Sequence, residues 1–285
     1  LKDWTINPFK PSVKKGHLIG RGANDMKSSI AAFISAVSIF LNKNHKFNGS
    51  ISLLITGDEE GDAVNGTKKV VEYLKKRKER INFCLVGEPT NPNKLGEMIK
   101  IGRRGSITGK IKIIGEQCHV AYQHRGNNPS TTLVQILKEI KDIKFDKGNK
   151  HFQPTNLEVT KINIKNDADN VIPGSAEATF NIRFNNRHSS NSIKRRLNKI
   201  FKKITKKNKS KFKIDYRVSG EAFLTKPNKT TFMIQNIIKK ITKLKPKLST
   251  TGGTSDLRFI RKISPGLEFG LVGKTCLLYT SPSPR

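Results

Sequence analysis

Five acidic residues in the first third of the chain have the types and positions that chemistry needs. The apolar run Leu53, Leu54, Ile55 gives way to Thr56 and Gly57 and then to Asp58, Glu59 and Glu60 in succession. Asp25 lies in GRGANDMKSS, just ahead of an apolar periodic stretch, and Glu88 follows the apolar segment CLVG. These are the carboxyl ends of strands or the starts of helices, where α/β proteins place ligands. Carboxylate oxygens bind divalent cations, and a hydrolytic metal centre needs a separate base beside its ligands. Glu59 and Glu60, being adjacent, point in different directions, so one can hold a metal while the other takes a proton from water. Each acid also has a plainer reading when taken alone. Asp25 is then a helix N-cap contributing about 1 kcal/mol, Asp58 to Glu60 a solvated turn, and Glu88 a loop charge. Gly20 and Gly22 suggest a dinucleotide loop only weakly, since no helix opens directly after a third glycine.

The elements that must position these acids follow from hydrophobic period. Residues 26–41 space Ile30, Phe33, Ile34, Val37 and Leu41 as a helix face, and residues 66–78 predict a second helix. Residues 50–55 and 81–86 predict short buried strands, so the opening segment reads as a βαβ sheet. After Arg104 the texture changes. SITGKIKIIGEQ, NLEVTKINI, AEATFNIRF and KFKIDYRVSG alternate as strands, while residues 131–143 and the basic run 194–213 have helical spacing. From about Phe223 a further helix and glycine-rich turns return. The expected architecture is an α/β domain over residues 1–104 and 223–273, interrupted by a smaller α+β domain over 105–222. Residues 274–285 have no periodicity and read as a non-native tail.

The formal charge of +33 comes from 55 Lys and Arg against 22 Asp and Glu. A charge of this size suggests a polyanion partner. Against that reading, lysine supplies 41 of the cations and asparagine occurs 24 times, a composition drift concentrated at solvent-exposed positions. The densest run also keeps Ile193, Leu197, Ile200, Phe201 and Ile204 on one helical face, which makes it a core-facing helix with a solvated basic side. Few aromatics interleave the lysines, so a nucleic-acid partner is not expected. No apolar run approaches the roughly 20 residues that span a bilayer, so no membrane is expected. Three widely spaced cysteines argue against a disulfide framework and for a reducing compartment, and the expected location is cytoplasmic.

GRGANDMKSS, ITGDEEG and LVGEPT, followed by GRRGSITGKIKIIG, CHVAYQH, NVIPGSAEATFNIRFN and STTGGTSDLRFI, resemble in order and spacing the zinc-dependent amidohydrolases of the aminoacylase and carboxypeptidase type. The resemblance runs from WTINPF to EFGLVG. The later motifs are most similar to members that cleave a succinyl amide; members that cleave an acetyl amide are the alternative. It implies an αβα catalytic domain with a mostly parallel sheet, a ferredoxin-like lid and dimerisation domain, and a homodimer acting on a small dicarboxylate amide. It also implies two Zn2+ per subunit, with Co2+ as a substitute. Asp25 would bridge the metals, Glu60 would bind one and Glu88 the other. Glu59 would be the general base and later the proton donor to the leaving amine. His119 would reach across the dimer to polarise the substrate carbonyl. Arg103, Asn170 and Arg183 would hold substrate carboxylates, and the loop from Gly252 to Ser255, with Gly253 and Thr254, would contact substrate.

The chain also departs from this pattern. Each metal site of the family includes a histidine, one upstream of the position of Asp25 and one near the carboxyl end, and neither motif is present. Cys118 and Gln123 stand where glycine and proline are usual. Two readings follow: a fragment of a working hydrolase that lacks both termini, itself inactive and a poor zinc binder, or a metal-free relative that binds without catalysis.

Overall fold

The computed structural model describes residue 4 and residues 6–273, so the tail expected at 274–285 lies outside the described residues. The chain divides into two compact units. One takes the chain up to Gly102, Thr225–Thr250 and the chain from Ser255; the other takes Arg103–Leu224 and Thr251–Thr254.

The second unit shows most directly how pattern becomes structure. Its sheet runs in the order Lys211–Gly220, Gly105–Ile114, Ser175–Phe184, Asn156–Asn163, with every neighbour antiparallel. In chain order that is fourth, first, third, second. Successive side chains alternate between faces, so Ser175–Phe184 turns Ala176, Ala178, Phe180, Ile182 and Phe184 inward and its polar residues outward. The helices Pro129–Lys141 and Ser190–Lys207 pack their apolar stripes against this inner face. The βαββαβ arrangement is ferredoxin-like. The basic helix starts at a capping box formed by Ser189 and Ser192 and buries Ile193, Leu197 and Phe201 at four-residue intervals, leaving its cations in solvent. Each such aliphatic or aromatic side chain contributes about 1.5–3 kcal/mol by leaving water.

The first unit holds a mixed four-stranded sheet in the order Lys247–Ser249, Met98–Lys100, Gly266–Glu268, Cys84–Val86. Its outer pairs, 247–249 with 98–100 and 266–268 with 84–86, are parallel, and Glu268 meets Lys100 in an antiparallel step. The same unit contains the helices Ser28–Lys43, Thr67–Lys76 and Lys229–Thr242, the single turn Leu257–Ile260 and the antiparallel strand pair Ser12–Lys14 and His17–Ile19. One expected element is corrected. Residues 50–55 form no strand, and Leu53, Leu54 and Ile55 are 49%, 43% and 61% exposed. An apolar run becomes a strand only when a neighbour takes its N–H and C=O groups, and no ladder among the described residues includes this segment. The helix Ser28–Lys43 likewise buries none of its residues.

Candidate active site

In the first unit the acids come from three connections. Asp25 lies in the irregular turn Ala23–Lys27 that leads into the helix Ser28–Lys43, with φ −122° and ψ 95°. It is not the N-cap of that helix; Lys27 occupies the cap position, with no side-chain bond. The Asp25–Met26 peptide is cis. Asn24 anchors the turn by donating from Nδ2 to the Val272 carbonyl at 3.0 Å. Glu88 follows Gly87, where a Cβ would come within 2.7 Å of Ser29 Cβ and 3.0 Å of Met26 Cε. Only glycine lets the end of the Cys84–Val86 strand approach the Asp25 turn so closely.

The acidic run is shaped by Asp58. Its Oδ2 accepts the backbone N–H groups of Val64 at 2.6 Å and Asn65 at 2.8 Å, which closes the turn around Glu59 and Glu60. The Asn65 N–H is the main influence holding the Asp58 carboxyl below its ordinary value; burial opposes it, and the Val64 and Ala63 N–H groups assist. Glu59 and Glu60 then differ. Glu60 is exposed, whereas the Glu59 side chain is 28% exposed. Burial pushes the Glu59 carboxyl up to about 7; the charges of Asp256, Glu60 and Asp25 push the same way, and Arg258 opposes them. A carboxylate in that range can take and return a proton near neutral pH. Asp256 and Arg258 were not singled out from sequence. Their signal was the motif STTGGTSDLRFI, in which only the loop ahead of them was assigned.

Among the described residues no group of three or more His, Cys, Asp or Glu side chains converges as a metal site. The carboxylates around Glu59 offer hard oxygen donors, but no imidazole or thiolate joins them. The described residues therefore do not by themselves fit a closed metal centre.

In the second unit three groupings form. His119, on the two-residue strand Cys118–His119, accepts the Ala121 N–H at Nδ1 over 3.1 Å and places Nε2 3.4 Å from Asn170 Nδ2. The strand's partner, Val171–Ile172, directly follows Asn170, which is how two residues 51 apart in sequence meet. Arg103 is 6% exposed and donates from Nη1 to the Thr251 carbonyl at 3.1 Å. The next residue, Gly252, has φ +104°, and a Cβ there would lie 2.3 Å from Arg103 Nη1. Gly253 and Thr254 complete that loop. Arg183 is paired across the sheet with Ser106 and Asn156. Burial first, and then the neighbouring Arg104 charge, draws its pKa below the usual arginine value. Arg104 donates to Asn156 Oδ1 at 2.8 Å. Two guanidinium groups on one polar sheet face suit an anionic ligand.

The whole sequence, residues 1–285, matches the model of peptidase family M20/M25/M40. A succinyl-diaminopimelate desuccinylase of Pelagibacter ubique is 77% identical over 275 residues, 96% of this chain and 72% of the relative. The enzyme of that name from Parvibaculum lavamentivorans is 48% identical over 95% of this chain and 68% of its own length. Among solved structures, the aminopeptidase PepT of Bacillus cereus superposes with a TM-score of 0.73 at 16% identity, over 92% of this chain and 67% of that one. An M20 family metallo-carboxypeptidase of Sulfolobus solfataricus gives 0.71 at 17% identity, over 94% and 73%.

Proposed function

The chain belongs to peptidase family M20/M25/M40, and from that membership we propose that it hydrolyses the amide of N-succinyl-LL-2,6-diaminopimelate to succinate and LL-2,6-diaminopimelate, a step of lysine biosynthesis by the diaminopimelate route. The observation that carries this is the 77% identity over 96% of the chain to a protein named for that reaction. The motifs from GRGANDMKSS to STTGGTSDLRFI lie within the matched span.

In this reading Glu59 takes a proton from water as the resulting hydroxide attacks the succinyl carbonyl, and later returns it to the departing amine. Its raised pKa suits both transfers. His119, oriented through Nδ1 and lying beside Asn170, would polarise the carbonyl oxygen; in a homodimer it would serve the site of the partner. Arg103, Arg183 and Asn170 would hold the substrate carboxylates, with guanidinium forks matched to carboxylate geometry, and the Gly252–Ser255 loop, with Gly253 and Thr254, would supply backbone and hydroxyl contacts to substrate.

The family uses a divalent metal. Two zinc ions per subunit, with cobalt as a substitute, is the finer reading. It asks for more ligands than the described residues bring together, so Asp25, Glu60 and Glu88 are assigned only as carboxylate donors that need further partners. No helix among the described residues is long and apolar enough to cross a membrane, and a cytoplasmic site of action fits the use of free cysteines.

The deciding assay supplies the protein with zinc or cobalt and compares succinate release from the succinyl substrate with acetate release from N-acetylornithine. Preference for the succinyl amide, lost on Glu59→Gln with the fold intact, is the expected result. Equal or reversed preference would remove the substrate assignment, and near-normal turnover by Glu59→Gln would remove the base.

A further inference from the structure

Arg258 lies on the single helical turn Leu257–Ile260, two residues after Asp256, and its side chain is 9% exposed. Its Nη1 is 3.8 Å from Glu59 Oε1 and its Nη2 is 3.8 Å from Asp256 Oδ1. The guanidinium carbon also stands 4.5 Å from the centre of the Phe259 ring, within the range of a cation–π contact. The cation thus lies beside a ring on its own turn, while its two Nη atoms each face an acid. Seven side-chain nitrogen or oxygen atoms among the described residues are buried with no hydrogen-bond partner. Three of them, Arg258 Nε, Arg258 Nη1 and Asp256 Oδ1, belong to this cluster.

We propose that Arg258 is a positioning residue for Glu59: a buried cation shared with Asp256 that fixes where the Glu59 carboxylate points. This rests on the reading of Glu59 as the base. A purely structural ion pair would be expected at hydrogen-bond distance with its donors satisfied. Here both contacts are longer than a hydrogen bond, and buried donors are left over. The arrangement is an electrostatic cradle that holds Glu59 in orientation without capping its oxygens. Asp256 keeps the cation in place. The turn that carries it is itself anchored, since Ser255 Oγ donates to the fully buried Glu268 and the Phe259 N–H to the Asp256 carbonyl. Lysine is a poor replacement, because a single ammonium cannot face two carboxylates with a planar fork.

The test combines Arg258→Ala, Arg258→Lys, Glu59→Gln and the double variant Arg258→Ala/Glu59→Gln, each checked for an intact fold. Arg258→Ala is expected to lower kcat by about 10²-fold, the effect of a small misplacement of a catalytic group, with KM nearly unchanged, the split that a positioning role predicts. Added guanidinium ion should restore part of the loss, and Arg258→Lys should restore less than guanidinium does. The drop in melting midpoint caused by Arg258→Ala should shrink when Glu59 is already Gln. Wild-type kcat in Arg258→Ala, or an equal midpoint drop in both backgrounds, overturns the proposal. Loss of coupling is distinct from failure of the base assignment, in which Glu59→Gln itself keeps turnover. The melting comparison reads the Arg258–Glu59 contact without any turnover.

Discussion

At the scale of single residues, the 251–254 loop depends as much on what is absent from a side chain as on what is present. Gly252 has no Cβ, and that absence lets the Arg103 guanidinium lie against the 251–254 loop. Gly252→Ala meets two penalties at once: φ +104° is a conformation L residues rarely hold, and the new methyl falls on Arg103 Nη1. A loss of about 1–3 kcal/mol in unfolding free energy is expected and, on the proposed role of Arg103 in holding a substrate carboxylate, a higher KM for the dicarboxylate substrate. Gly174→Ala is the matched control, since a Cβ there meets nothing within 4 Å and φ is ordinary. Denaturant titration of both variants is sufficient; equal stability of the two would mean that the loop yields without cost. The acids around Glu59 are conspicuous in the sequence because a run such as Asp58, Glu59, Glu60 stands out against a lysine-rich background. Asp256 and Arg258 are not. Each looks like an ordinary loop charge until folding carries it some 200 positions back to Glu59, and nothing local in LRFI records that distance.

At the scale of elements, what could be read depended on whether an element is defined by its own sequence or by its neighbour. The strand Ser175–Phe184 and the helix Ser190–Lys207 carry ten and eighteen residues of unbroken period, and each buries the face that its period marks. The three-residue strands Met98–Lys100 and Lys247–Ser249 are too short to show a period and exist only because they pair. Residues 50–55 are the opposite case, with a strand-like composition and no partner among the described residues. The connection between the Pro129–Lys141 helix and the Asn156–Asn163 strand was also illegible, because its order comes from one carboxylate. Asp146, whose side chain is 5% exposed, accepts from the Gly148 N–H at 2.6 Å, from Asn185 Nδ2 at 2.5 Å and from the Thr155 N–H at 3.3 Å, and it faces His188 Nε2 at 3.0 Å. Burial alone would raise its pKa; the hydrogen bonds from Thr155, Gly148 and Asn185 outweigh that and hold it at about 2, against an ordinary 3.8. The folded state therefore favours the ionised form. This contribution, about 2 kcal/mol, is complete above about pH 4 and fades as pH falls from the ordinary value toward about 2. Asp146→Asn should lower stability at neutral pH and narrow the gap to the wild type across that acid window. A gap that stays constant down to about pH 2 would place the stabilisation elsewhere.

At the scale of the whole molecule, the charge of +33 has consequences that no single contact has. The cations of the Ser190–Lys207 helix stand on its solvated side while Ile193, Leu197 and Phe201 are buried, so their charge faces its own kind across water. Ion pairs offset little of it: Lys110 and Lys112 share the single carboxylate of Glu177 at 3.5 Å and 3.1 Å, and exposed pairs of this kind contribute about 0–1 kcal/mol each. Net self-repulsion of this size destabilises a compact state, and salt screens it, the Debye length falling from about 30 Å at 0.01 M to about 10 Å at 0.1 M. The melting midpoint should therefore rise over that range, and sodium chloride and potassium chloride should give the same curve, because screening depends on ionic strength and not on ion identity. The same titration distinguishes a basic surface that is merely solvated from one that binds a polyanion. A solvated surface gains stability from salt alone and little more from added DNA at 0.1 M salt. A polyanion-binding surface is stabilised by DNA at low salt and loses that gain steeply as salt rises, with a slope set by the number of phosphates neutralised. A midpoint that is flat or falling with salt, measured without DNA, would show that the lysines are held in compensated arrangements and that the excess charge does not govern the stability of the fold.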